Sequence, residues 1–132
     1  MNRCEKAVKN HEKGYNCAQA VACVFADKLG YSDDELFRLT EAFGGGMGGT
    51  QGVCGAVSAM VVVVGGINSY GLDKLPETNK KVSYGFARDL MEKFQNRIGT
   101  ILCSDIKSKK LCSCDRCIEE AVKILEEFIG EE

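Results

Sequence analysis

The chain is poor in the side chains that most hydrolases and nucleic-acid binders rely on. It carries one histidine and no tryptophan in 132 residues. The single His11 stands far along the sequence from the glycine-rich segment, so no hydrolase or transferase constellation is readable. Basic excess is absent too: 17 lysines and arginines face 19 acids, for a net charge of -2. The bases are scattered among the acids, which argues against a nucleic-acid partner, since such binders present a basic face. No apolar run is long enough to span a bilayer, which takes about 20 residues. The start of the chain, MNRCEKAVKNHEKGYN, lacks the apolar stretch of a secretory signal, so the expected compartment is the cytoplasm. No C-x-x-C-H occurs, so covalent haem is not expected. No internal repeat stands out. The expectation is a single domain over residues 1–132.

What the chain does have is sulfur and glycine: eight cysteines and fifteen glycines. Disulfides are rare in a reducing compartment, so cysteines there point to metal binding or redox chemistry, with some serving only as small core residues. The stretch Gly44–Gly66, GGGMGGTQGVCGAVSAMVVVVGG, concentrates both features. Its first half is nearly all glycine, its second nearly all apolar, and Cys54 sits at the join. Residues 52–64 are apolar on nearly every side, which suits a buried helix at the centre of a bundle. A cysteine at the start of such a helix meets its partly positive end, which favours the thiolate. Gly44, Gly46 and Gly49 match G-x-G-x-x-G, but a helical pattern, not a strand, precedes them. A dinucleotide site is therefore not supported. Glycines this dense, Gly45, Gly46, Gly48 and Gly49 among them, instead let a loop wrap a buried group and aim N–H donors at an anion.

The rest reads as helix. Arg3–Lys13 forms a short polar helix ended by Gly14, with Cys4 and His11 on one face. Asn16 caps a helix over 17–29, with Cys17 in its first turn and Cys23 as packing. Ser32 and Glu35 form a capping box for a helix over 33–43, with Leu36, Leu39 and Phe43 inward. Gly65 and Gly66 close the central helix. A long helix over 77–98 carries an apolar stripe of Tyr84, Ala87, Leu90, Met91, Phe94 and Ile98. An amphipathic helix then ends at Gly130. The expected fold is all-α, with five to six helices around the apolar helix at about 52–64.

Four cysteines crowd one segment, TILCSDIKSKKLCSCDRC. Cys112, Cys114 and Cys117 form C-x-C-x-x-C, and Cys103 lies nine residues earlier. Spacings this short let several sulfurs reach one metal, as zinc and iron–sulfur sites require. Cys114–Cys117 alone is also the spacing of a redox dithiol.

GYNCAQAV at 14–21, FGGGMGGTQGVCGAVSA at 43–59, a lone cysteine after Gly99, and a cysteine opening CIEEAVKILEE together resemble the C_GCAxxG_C_C family of small redox-active proteins. Ala59 stands where that family's CGAxxG has its last glycine. The resemblance implies a helical fold and a redox role. By position it makes Cys17, Cys54, Cys103 and Cys117 the four functional cysteines, with Cys112 and Cys114 as second-tier candidates. The first expectation is that those four converge on an iron–sulfur cluster used for electron transfer, with an electron donor or acceptor protein as partner. The alternatives are metal-free thiol–disulfide exchange through the same cysteines and a structural zinc module. The oligomeric state stays open, a dimer among the options.

Overall fold

A computed structural model describes residues 1–131. The described chain is all-helical and has eight α-helices: α1 (Arg3–Glu12), α2 (Cys17–Cys23), α3 (Ala26–Leu29), α4 (Asp33–Thr40), α5 (Gly55–Asn68), α6 (Lys80–Ile98), α7 (Cys103–Ser108) and α8 (Cys114–Ile129). None is long and apolar enough to cross a membrane.

The capping signals in the sequence are the ones the backbone uses. Asn16 accepts from the Gln19 N–H, and the Gln19 side chain returns to the Asn16 N–H. Ser32 and Glu35 exchange the same pair of bonds at α4. Each reciprocal pair satisfies two N–H groups that the helix cannot.

Apolar helix α5 is central. Ala56, Val57, Ala59, Met60 and Val63 are fully buried along it. It packs against α2, α6 and α8. The contact with α2 is close because both faces are small. A Cβ on Gly55 would lie 3.1 Å from the Ala18 backbone nitrogen. Arg3 closes the bundle at another corner, pairing with Asp27 and Glu131 and lying over the Phe25 ring at 4.6 Å.

Four local readings change. The run over 17–29 is two helices, broken where the buried Phe25 turns beneath Arg3. Leu39 is 64% exposed and does not point inward; α4 ends at Thr40, and a 3-10 turn follows at Glu41–Phe43. Tyr84, in the expected α6 stripe, is also exposed; Leu90, Phe94 and Ile98 carry the buried face. Gly65 and Gly66 lie inside α5 and do not end it. A Cβ on Gly66 would sit 2.4 Å from a Leu29 methyl, so the glycine is there for close packing.

Candidate functional site

Six cysteines meet at the ends of four helices. Cys54 is the N-cap of α5, Cys17 the first residue of α2, Cys103 the first of α7, and Cys114 the first of α8. Two tethers bring these ends together. The first is the close approach of Gly55 to Ala18, which sets Cys54 beside Cys17. The second is a short antiparallel pairing of residues 51–54 with 101–104, centred on a bridge between Val53 and Leu102. Cys54 N–H donates to the Ile101 carbonyl at 2.8 Å, and Cys103 N–H to the Gly52 carbonyl at 2.7 Å. Side chains alternate along paired strands, so this register puts Cys54 and Cys103 diagonally on one face.

The fifth and sixth sulfurs follow from how α8 begins. Ser113 is its N-cap and accepts from the Arg116 N–H at 3.1 Å. Cys112 is then the residue before the cap, and Cys117 is the fourth helical residue. Those two positions pack together at many helix starts. Here the pair is sulfur on sulfur, with Cys112 Sγ 2.9 Å from Cys117 Sγ.

The electrostatics single out Cys54. It is 6% exposed, yet its thiol is pulled from 9.0 down to about 7. The neighbouring Cys117 thiol is the largest cause; burial opposes it, and the Ala56 and Val57 N–H groups and Lys107 assist. No well-formed side-chain cap bond closes α5, so these N–H groups act as the positive end of the helix rather than as a tight cap. Cys117 is pushed up, through its bond to Cys54, then burial, then its bond to Cys112. Cys17 is raised by burial and by the neighbouring Cys114, Cys54 and Cys103. Cys103 is raised by burial, against Lys107.

The sulfurs are thus arranged as a chain and a pair. Cys112, Cys117 and Cys54 form the chain, and Cys17 and Cys114 the pair, with Cys103 alongside. Although Cys114 and Cys117 have dithiol spacing, the sulfur in contact with Cys117 is that of Cys112, with Cys54 the other neighbour that shifts its pKa. Thiolates suit soft metals such as iron and zinc. As arranged, however, no three cysteine, histidine or carboxylate side chains among the described residues form a group that could hold a metal ion.

The glycine loop covers this centre. Gly46 is buried, with φ +73°, and a Cβ there would lie 2.7 Å from Cys103 Cβ. Gly48 and Gly49 spend their N–H groups on the Ala42 and Gly44 carbonyls. The N–H groups of Gly45 and Gly46 make no internal bond among the described residues.

Cys4 and Cys23 stand apart. Cys4 Sγ faces the Glu119 carbonyl at 3.8 Å, and Cys23 Sγ the Asp33 carbonyl at 3.7 Å. Burial is the main reason each is pushed up to about 11. His11 does not share a site with Cys4; its Nδ1 pairs with Asp115 at 2.9 Å. Lys107 was not visible as part of the site from sequence. Its signal is a position four residues after Cys103, meaningful only once α7 is known to be a helix.

A family model described as "Putative redox-active protein (C_GCAxxG_C_C)" matches residues 15–128. The chain belongs to this family. No curated protein and no solved structure matches the chain. Within the C_GCAxxG_C_C match lie all six gathered cysteines, while Cys4 falls outside it.

Proposed function

We propose that this protein is a thiol–disulfide redox carrier in which Cys54 and Cys117 cycle between dithiol and disulfide. The observation carrying the reading is Cys54 itself, a buried thiol set among neighbouring cysteines, with Cys117 the largest influence lowering its pKa. A thiolate is the species that attacks disulfides, and attack is fastest when the thiol's pKa is near ambient pH. In the net reaction, the Cys54 and Cys117 thiols give up two electrons and two protons. An acceptor disulfide takes them and becomes two thiols. Reversal makes the protein an oxidant toward dithiols. Cys17 and Cys114 form a neighbouring pair of lesser thiolate character on the Cys17 side.

A second reading is favoured by a separate observation: four different elements each bring a cysteine to one place. Cys17, Cys54, Cys103 and Cys117 would then ligate an iron–sulfur cluster after the paired sulfurs open outward, with Gly45 and Gly46 offering their N–H groups. Anaerobic purification followed by iron, zinc and acid-labile sulfide analysis, then disulfide mapping after mild oxidation, separates the readings. The dithiol carrier gives colourless protein and a reversible Cys54–Cys117 linkage. Iron with sulfide, and thiols that titrate only after iron removal, would overturn it in favour of the cluster. Zinc with unfolding on chelation would mark a structural module.

A further inference from the structure

The buried pair needs a route to its partner. Cys54 is 6% and Cys117 2% exposed, so no substrate disulfide can present its sulfurs to either in this conformation. Cys112 is different. It is partly exposed, lies in the connection between α7 and α8, and touches Cys117 across 2.9 Å. That gap exceeds a disulfide bond by only about 0.9 Å. Cys114 is more exposed, but its sulfur partner is Cys17.

We propose that Cys112 is the exchange thiol of this centre, passing a disulfide inward from the surface to Cys117 and then to Cys54. This rests on the dithiol reading above and names the route it uses. Cys112, as thiolate, attacks an external disulfide R–S–S–R, bonds to one sulfur and expels the first RS⁻. Cys117 loses its proton and attacks Cys112 Sγ, forming Cys112–Cys117 and expelling the second RS⁻. Cys54 thiolate then attacks Cys117 Sγ, forming Cys54–Cys117 and releasing Cys112 as thiolate. Two electrons and two protons have moved from Cys54 and Cys117 to the substrate, which leaves as two RSH, and Cys112 is regenerated. The substrate class is an accessible disulfide, since only the surface thiol must reach it.

The test uses the reduced full chain and one equivalent of 2-hydroxyethyl disulfide, with acid quenching, alkylation and disulfide mapping over time. The wild type shows probe on Cys112 and the Cys112–Cys117 linkage first, then Cys54–Cys117. Cys54→Ser, which keeps a residue suited to capping α5, stops at Cys112–Cys117. Cys112→Ser forms Cys54–Cys117 at least about tenfold more slowly, having lost its exposed attacking thiol. Probe trapped first on Cys54 or Cys114, a Cys114–Cys117 linkage, or wild-type oxidation rates in Cys112→Ser overturns the proposal. If circular dichroism shows that Cys112→Ser is unfolded, the order of linkages in the wild type decides alone. Formation of Cys54–Cys117 without Cys112 sinks only this route. Failure of any Cys54–Cys117 linkage to form, with iron present, sinks the dithiol reading beneath it.

Discussion

Replacing Cys117 with alanine tests the electrostatic reasoning at its centre. Cys117 is the largest of the causes that hold the Cys54 thiol near 7, and burial pulls the other way. Without the Cys117 donor, the Ala56 and Val57 N–H groups and Lys107 face that burial alone, and the Cys54 pKa rises toward 9.0. A full return would correspond to about 3 kcal/mol of lost thiolate stabilisation. At neutral pH the thiolate fraction then falls from about one half to about 1%, roughly fiftyfold. The rate falls less, because a more basic thiolate is intrinsically about six- to tenfold more nucleophilic over that range. Alkylation of the Cys54 peptide at pH 7 therefore slows by about five- to eightfold, while above about pH 8 the variant overtakes the wild type. The two pH–rate curves cross near pH 8, by the same arithmetic. Peptide-resolved mass spectrometry of iodoacetamide labelling reads Cys54 separately from the other seven cysteines. A crossing also excludes simple unblocking, since better access would speed labelling at every pH. Cys117→Ser, which keeps an O–H donor, stays closer to the wild type. A Cys54 midpoint unmoved in Cys117→Ala, or curves that never cross, would refute the assignment.

Three further outcomes follow from the same geometry. Gly46→Ala adds a methyl 2.7 Å from Cys103 Cβ at a left-handed residue, whereas Gly49→Ala at φ +76° meets nothing within 4 Å. Both pay about 1–2 kcal/mol for backbone strain, so thermal melts should show Gly46→Ala as the more destabilised, with changed labelling at Cys103 only there. Asn16→Ala removes the α2 capping box and the bond to the Glu41 carbonyl. It should cost about 1–2 kcal/mol in denaturant titration and, as Cys17 moves from Cys114, slow Cys17–Cys114 linkage on mild oxidation, read by disulfide mapping. In reductant, stability depends on pH with two signs. Cys54 has a lowered folded pKa, so its contribution is present above 9.0 and is lost as pH falls through about 7. Cys4, Cys17, Cys23, Cys103 and Cys117 have raised folded pKa values, so stability falls as pH rises toward and beyond 9.0, where the unfolded chain ionises and the folded one resists. Urea midpoints should therefore rise above pH 7, peak between about pH 8 and 9 and then fall; a monotonic fall from pH 7 would contradict the Cys54 assignment.

The sequence made helix starts and the buried helix legible because their causes are local. Asn16 and Ser32 announce their caps within three residues, and an uncharged run from Val53 to Val64 has nowhere to go but the core. It left unreadable whatever depends on a partner far along the chain. Phe25 looks like one more apolar position of a helix until Arg3 is found over its ring. Gly66 looks like a stop until Leu29 is found against it. α7 is six residues long and begins with no side-chain cap bond, so neither period nor cap signalled it. The site divides in the same way. That cysteines mattered was plain, and the four named positions came from the family resemblance. The Cys112–Cys117 contact was encoded locally, as the residue before a cap and the fourth residue after it. Sequence spacing instead draws attention to Cys114 and Cys117, the C-x-x-C pair, while the Cys112–Cys117 contact shows only once Ser113 is known to cap α8.

The contrast between the two halves of the cysteine chain bears on how such a centre can turn over. Cys54 and Cys117 each sit at a helix start whose backbone is bonded into the fold, Cys54 through Ile101 and Cys117 through the Ser113 carbonyl. The N–H of Cys112 makes no internal bond among the described residues. Exchange through Cys117 then asks the least-tethered sulfur to move and the two best-tethered ones to stay, so the fold is disturbed least where its helices begin. A cluster held by Cys17, Cys54, Cys103 and Cys117 would instead draw Cys117 away from Cys112, whose sulfur lies 2.9 Å from it. On the dithiol reading proposed above, sulfur exchanges with sulfur in sequence while the helix starts stay in place.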